Sequence, residues 1–154
     1  MITGNRSKRA LELFSQKYNC AQAVYAGCAP TEGLSEAQRL AMSAVFGGGI
    51  AGVGEICGAL TGALMALGEA GFDAGAADPS DARKAVVDQA NELVEAFRQE
   101  HFSIRCSKLT GCRHDTDQGK KDFAESGLRD SLCCGLVAYA AGKVDEILAA
   151  DTAE

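Results

Sequence analysis

The sequence predicts an all-α, single-domain bundle of about five helices, with a glycine-rich turn between the second and third. Three observations lead there. Apolar residues recur at three- and four-residue steps through most of the chain, period-two alternation never persists, and helix-start signals precede several of the periodic segments. At 154 residues one domain spanning 1–154 is expected. A chain of that size buries roughly 70% of its unfolded surface and needs no covalent staples.

The first helix is expected from about Ser7 to Cys28, where Leu11, Phe14, Tyr18, Ala21 and Tyr25 fall on one face. Pro30 and Gly33 then open a turn. Ser35 and Gln38 have the spacing of a capping box and start a second helix running to about Phe46. Residues 47–54 contain five glycines in eight positions and read as a turn with unusual backbone freedom. A third helix is expected from near Glu55 to Gly68, with Glu55 and Cys57 in its first turn. Asp78-Pro79, cap followed by a preset first turn, starts a fourth helix ending near Glu100. Turn signals appear at Thr110-Gly111 and Gln118-Gly119, and a last helix follows from about Asp130.

The net charge of −6 argues against nucleic acid as a partner, because phosphate neutralisation needs a basic surface. The apolar run from Leu40 to Gly68 carries Glu55 near its middle and lacks basic flanks, so stable membrane insertion is not expected. The N-terminal stretch has no apolar signal region, and a cytoplasmic location is the expectation. There, seven cysteines stay reduced, and an odd number cannot pair completely within one chain. Gly47-x-Gly49-x-x-Gly52 matches a dinucleotide fingerprint, but a helix rather than a strand precedes it, which rejects that reading. His101 reads as a helix-end residue where positive charge is favoured, and His114 as a loop residue.

Asn19-Cys20-Ala21-Gln22-Ala23, Phe46-Gly47-Gly48-Gly49-Ile50 and Gly54-Glu55-Ile56-Cys57-Gly58-Ala59-Leu60-Thr61-Gly62-Ala63 occur in a recognisable order. Phe102-Ser103-Ile104-Arg105-Cys106, with Leu109 and Gly111, follows, then Cys133 with Leu136-Val137. On these residues the chain resembles the C_GCAxxG_C_C family of redox-type proteins over about residues 11–148. The resemblance implies that Cys20, Cys57, Cys106 and Cys133 are the functional cysteines. Cys133 is preferred to the adjacent Cys134 for its spacing from Leu136-Val137. Cys28, Cys112 and Cys134 stand as local additions.

Two chemistries suit four such thiols. One is thiol/disulfide electron transfer with a protein redox partner, in which a thiolate attacks through a mixed disulfide. The other is metal binding by the same four sulfurs, an iron–sulfur cluster before zinc, because zinc ligands usually arrive as closely spaced pairs. The cofactor itself is left unknown. A third class is a non-catalytic helical interaction module whose thiols only pack, and a homo-oligomer is compatible with any of these. Cys57 at a helix N-terminus is expected to ionise more easily, as is Cys106 beside Arg105; Glu55 is expected either to cap the helix or to handle a proton.

Overall fold

A computed structural model of the chain describes residues 4–151. Among them are eight α-helices: α1 (Asn5–Ser15), α2 (Cys20–Cys28), α3 (Glu36–Ser43), α4 (Gly58–Gly71), α5 (Pro79–His101), α6 (Cys106–Thr110), α7 (Asp117–Ser126) and α8 (Cys134–Asp151). A 3-10 turn (Ala44–Phe46) extends α3, and a π-helical turn (Arg129–Cys133) leads into α8. The only β pairing among these residues is an isolated antiparallel bridge between Ile56 and Arg105. None of the helices is long and apolar enough to cross a membrane.

The all-α class is as expected, but the helix count is higher, for local reasons. The first predicted helix is two. Lys17 takes a left-handed φ of 71° and breaks the chain. Asn19 and Gln22 then form a complete capping box that starts α2 at Cys20. The break is stabilised from a distance: Arg129 donates to the carbonyls of Phe14 and Tyr18 at 2.7 and 3.1 Å. Its guanidinium also lies over the Phe14 ring, 3.8 Å from the centroid.

Ser35 caps α3, and Asp78 with Pro79 starts α5, as their spacing predicts. The third predicted helix starts later than expected, at Gly58, so that Cys57 is its N-cap and Glu55 lies outside it. Gln118-Gly119 is no turn. Thr116 caps α7, and Gly119 lies in the first turn against Arg113, where a Cβ would approach the Arg113 carbonyl oxygen to 1.9 Å.

α2 is the hub, packed by α1, α3, α4 and α8. Two glycines set its spacing. Gly62 brings α4 onto the Ala21 carbonyl, and a Cβ there would stand 2.5 Å from that oxygen. Gly27 brings α2 onto Ala10 of α1, where a Cβ would meet backbone at 2.7 Å. Around this axis the core closes with Leu13, Val24, Leu60, Leu67, Phe97 and Val137, all buried. At 25 cal/mol per Å² each such side chain stabilises the fold by about 1.5–3 kcal/mol.

Candidate functional site

Four cysteines from four segments converge at one end of this axis. Cys20 is the first residue of α2, Cys57 the N-cap of α4, Cys106 the first residue of α6, and Cys133 the last residue of the π turn before α8. Together with Ala59, Leu109, Thr110 and Leu136 they line one small apolar cavity of about 20 Å³. Cys28, Cys112 and Cys134 are not among its lining residues. All seven cysteines are free thiols.

Backbone pairing fixes the arrangement. The Cys57 amide donates to the Ile104 carbonyl at 2.8 Å, and the Cys106 amide donates to the Glu55 carbonyl at 2.6 Å. The residues before α4 and α6 therefore run side by side, with Cys57 and Cys106 close to the same bridge. Asn19, which caps α2, also donates to the Ala44 carbonyl at 2.9 Å, tying Cys20 to the same end.

The glycine-rich segment covers the site. Gly48, Gly49, Gly52 and Gly54 all have positive φ, and so do Ile50 and Ala51. At Gly49 a Cβ would lie 2.8 Å from the Cys106 Cβ and 2.5 Å from the Glu55 amide, so only glycine allows the segment to close this tightly. Gly58 admits the Cys20 sulfur in the same way, since a Cβ there would lie 2.4 Å from it.

Cys20 is the common neighbour. Its sulfur acts on the ionisation of Cys57, Cys106 and Cys133 alike, raising each thiol's pKa. It ranks second only to burial at all three. Burial pushes the Cys106 thiol up to about 12 and the Cys133 thiol up to about 11, where Arg129 pulls weakly the other way. Cys57 is raised as well, chiefly by burial, although the amides of Ala59 and Leu60 favour its thiolate. Those amides stop short of a formed cap hydrogen bond.

The expectations that helix position lowers the pKa of Cys57, and that Arg105 lowers that of Cys106, are thus overturned. A helix N-terminus contributes about 0.3–1 kcal/mol when exposed, less than the cost of ionising a sulfur in a buried apolar cavity. Arg105 gives Cys106 no help, because its guanidinium turns outward to Glu55 at 2.8 Å in an exposed pair. Glu55 is therefore engaged by Arg105 rather than capping α4. His101 ends α5 as expected, but its ring packs on Phe97 and Tyr139, and burial lowers its pKa rather than favouring charge there.

One residue of the site was not anticipated. His114 is buried, and its Nε2 lies 3.7 Å from the Cys106 sulfur and 2.9 Å from the Thr110 hydroxyl. The sequence carries a signal for this only in retrospect: Gly111, left-handed at the end of α6, reverses the chain and returns position 114 to the helix it has just left.

Among the described residues, no group of three or more His, Cys, Asp or Glu side chains is arranged to hold a metal ion. The cavity volume matches about one water molecule, far less than a cluster of irons and sulfides occupies. The sulfurs as arranged do not fit a zinc ion or an iron–sulfur cluster.

Residues 18–147 match the model of the family described as "Putative redox-active protein (C_GCAxxG_C_C)". No curated protein and no solved structure matches the chain. The match covers most of the chain and all four cavity cysteines, and the chain belongs to this family.

Proposed function

We propose that this family member transfers electron pairs by thiol/disulfide exchange, with Cys20, Cys57, Cys106 and Cys133 as one centre. The observation that carries this is the convergence of four sulfurs, from segments far apart in sequence, on one apolar cavity. Cys20 and Cys133 are half-buried, whereas Cys57 and Cys106 are buried. Cys20 is thus the sulfur that meets a partner, and it is also the neighbour of the other three.

In the exchange, the Cys20 thiolate attacks a disulfide on a partner protein. A mixed disulfide forms, and the partner's other sulfur leaves with the electron pair and takes a proton. Cys57, whose neighbour Gly58 carries the Cys20 sulfur, then attacks Cys20. The Cys20–Cys57 disulfide forms and the partner's second thiol is released. Two electrons and two protons pass to the partner, and two thiols here become one disulfide. Ile50 and Val53 stand exposed on the segment that covers Cys106, and Val45 on the 3-10 turn before it, apolar surface of the kind a protein partner buries.

The test is a free-thiol count with iron, zinc and sulfide analysis, on protein purified without oxygen. Oxidation by a disulfide reagent should remove two thiols from metal-free wild type and none as an intramolecular pair from Cys57→Ser. An unchanged count in wild type would leave a module whose thiols only pack. Iron with acid-labile sulfide, lost in Cys57→Ser, would replace thiol exchange by a cluster.

A further inference from the structure

His114 has a defined place that thiol exchange as written above does not use. Its imidazole is held on three sides. The ring packs on Phe123 of α7 with centroids 4.8 Å apart. Its backbone amide donates to the Cys112 carbonyl at 3.1 Å. On the third side lies Gly54, where a Cβ would stand in ordinary contact, 3.5 Å from the His114 Cβ.

Thr110 completes the setting. Its hydroxyl donates to the Cys106 carbonyl at 2.8 Å and accepts from the Cys112 amide at 3.2 Å. With its one hydrogen so placed, it accepts from His114, which then carries its proton on Nε2. The same Nε2–H faces the Cys106 sulfur. A hydroxyl can also turn and donate to Nε2, so Thr110 holds the ring in either neutral tautomer.

We propose that His114 is the hydrogen-bond donor and proton-exchange partner of the Cys106 sulfur, positioned by Thr110. The inference rests on the thiol-exchange reading for its purpose. With Cys20–Cys57 as the reacting pair, Cys106 is a third sulfur beside Cys20, and its protonation sets the charge acting there. The Cys106 thiol gives its proton to Nε2 of the Nδ1–H tautomer, and Nδ1 gives its own to solvent. The Nε2–H that results donates to the thiolate in the apolar cavity. Protonation of the sulfur runs the same steps backward.

The sulfurs of Cys20, Cys133 and Cys112 act on Cys106, each raising its pKa. Cys112, Arg113 and Asp115 are the other titratable groups of the His114 turn, and α7 presents the Phe123 ring. Glu55 pairs with Arg105, and Arg113 pairs with Asp115, both outward in exposed contacts. Burial alone lowers the His114 pKa, which favours the neutral ring.

The test measures alkylation of Cys106 by iodoacetamide across pH 5–9, site by site by mass spectrometry, on the full reduced chain. Cys134 serves as the internal standard. His114→Leu should slow Cys106 about tenfold at neutral pH, the size of one hydrogen bond to a charged acceptor. His114→Gln, which keeps an N–H donor, should retain most of the rate. In wild type the rate should fall less steeply toward the acid end of this range, where the imidazole charges below its ordinary value and the imidazolium supports the thiolate, and this shoulder should vanish in both variants. Equal rates in all three proteins, or an equal loss in both variants with no shoulder in wild type, would overturn the proposal. If the leucine variant does not fold, the wild-type profile and the glutamine variant decide alone. Alkylation needs no disulfide, so the inference and the thiol-exchange reading fail by different readouts.

Discussion

The two ends of α2 pose the same chemical problem and resolve it differently. Cys20 opens the helix and Cys28 closes it, about 12 Å apart at 1.5 Å per residue. Cys28 is completely buried, and burial pushes its thiol up to about 12, as it does for Cys106. Yet the groups acting on Cys28 are Asp145 and Arg6, and no sulfur is among them. At the other end Cys20 is the leading neighbour among those that act on each raised thiol. Burial and a high pKa are therefore not what mark a candidate centre. Convergence of sulfurs is.

The ends also differ in what holds them. Near Cys28 the helix is fixed by ions: Tyr25 donates to Glu69 at 2.7 Å, and Arg39 meets the same carboxylate through three contacts between 2.6 and 3.2 Å. Arg39 also donates to the Glu32 carbonyl at 3.0 Å. Near Cys20 the helix is fixed by backbone bonds and by glycines that let segments close, with no comparable buried ion pair.

The largest effect expected from breaking this contrast is at Glu69. Glu69→Ala leaves the Arg39 guanidinium buried without its counter-charge and should cost about 3 kcal/mol of stability in chemical denaturation, while the two-thiol loss persists. The pH dependence has a definite sign. Arg39 holds the Glu69 carboxyl below its ordinary value, so its contribution is full above about pH 4.5 and falls away as the pH drops through the lower folded value. A variant losing less than about 1 kcal/mol would mean that the ions do not anchor this end.

A smaller effect sharpens the contrast directly. Cys28→Ala removes one buried sulfur and should destabilise by about 1 kcal/mol. The count of thiols lost on oxidation should stay at two. If that count fell, the Cys28 end would belong to the centre and the distinction between the ends would fail.

The sequence made one of these ends more legible than the other. The capping box at Ser35 and the Asp78-Pro79 start act through neighbours in sequence and read correctly, whereas the helix after the glycine turn starts at Gly58 rather than near Glu55. The Asn19–Gln22 capping box was equally local, but the apolar spacing of Leu11, Phe14, Tyr18 and Tyr25 continues across the break and hides it. What could not be read was set by distance. Arg129 satisfies carbonyls more than a hundred positions away, and Arg105 turns to Glu55 rather than to its own neighbour Cys106. The ionisation of Cys57 was misjudged for the same reason, because burial depends on the whole fold whereas helix position depends on the next few residues. His114 came to Cys106 through a single left-handed glycine, a signal too small to single out beforehand.

The most direct test of the central claim is disulfide mapping by mass spectrometry of wild type oxidised to the loss of two thiols. The account predicts a linked peptide joining Cys20 to Cys57, with Cys28 and Cys134 recovered as free thiols. A dominant linkage that leaves out Cys20, or that draws in Cys28, would contradict it.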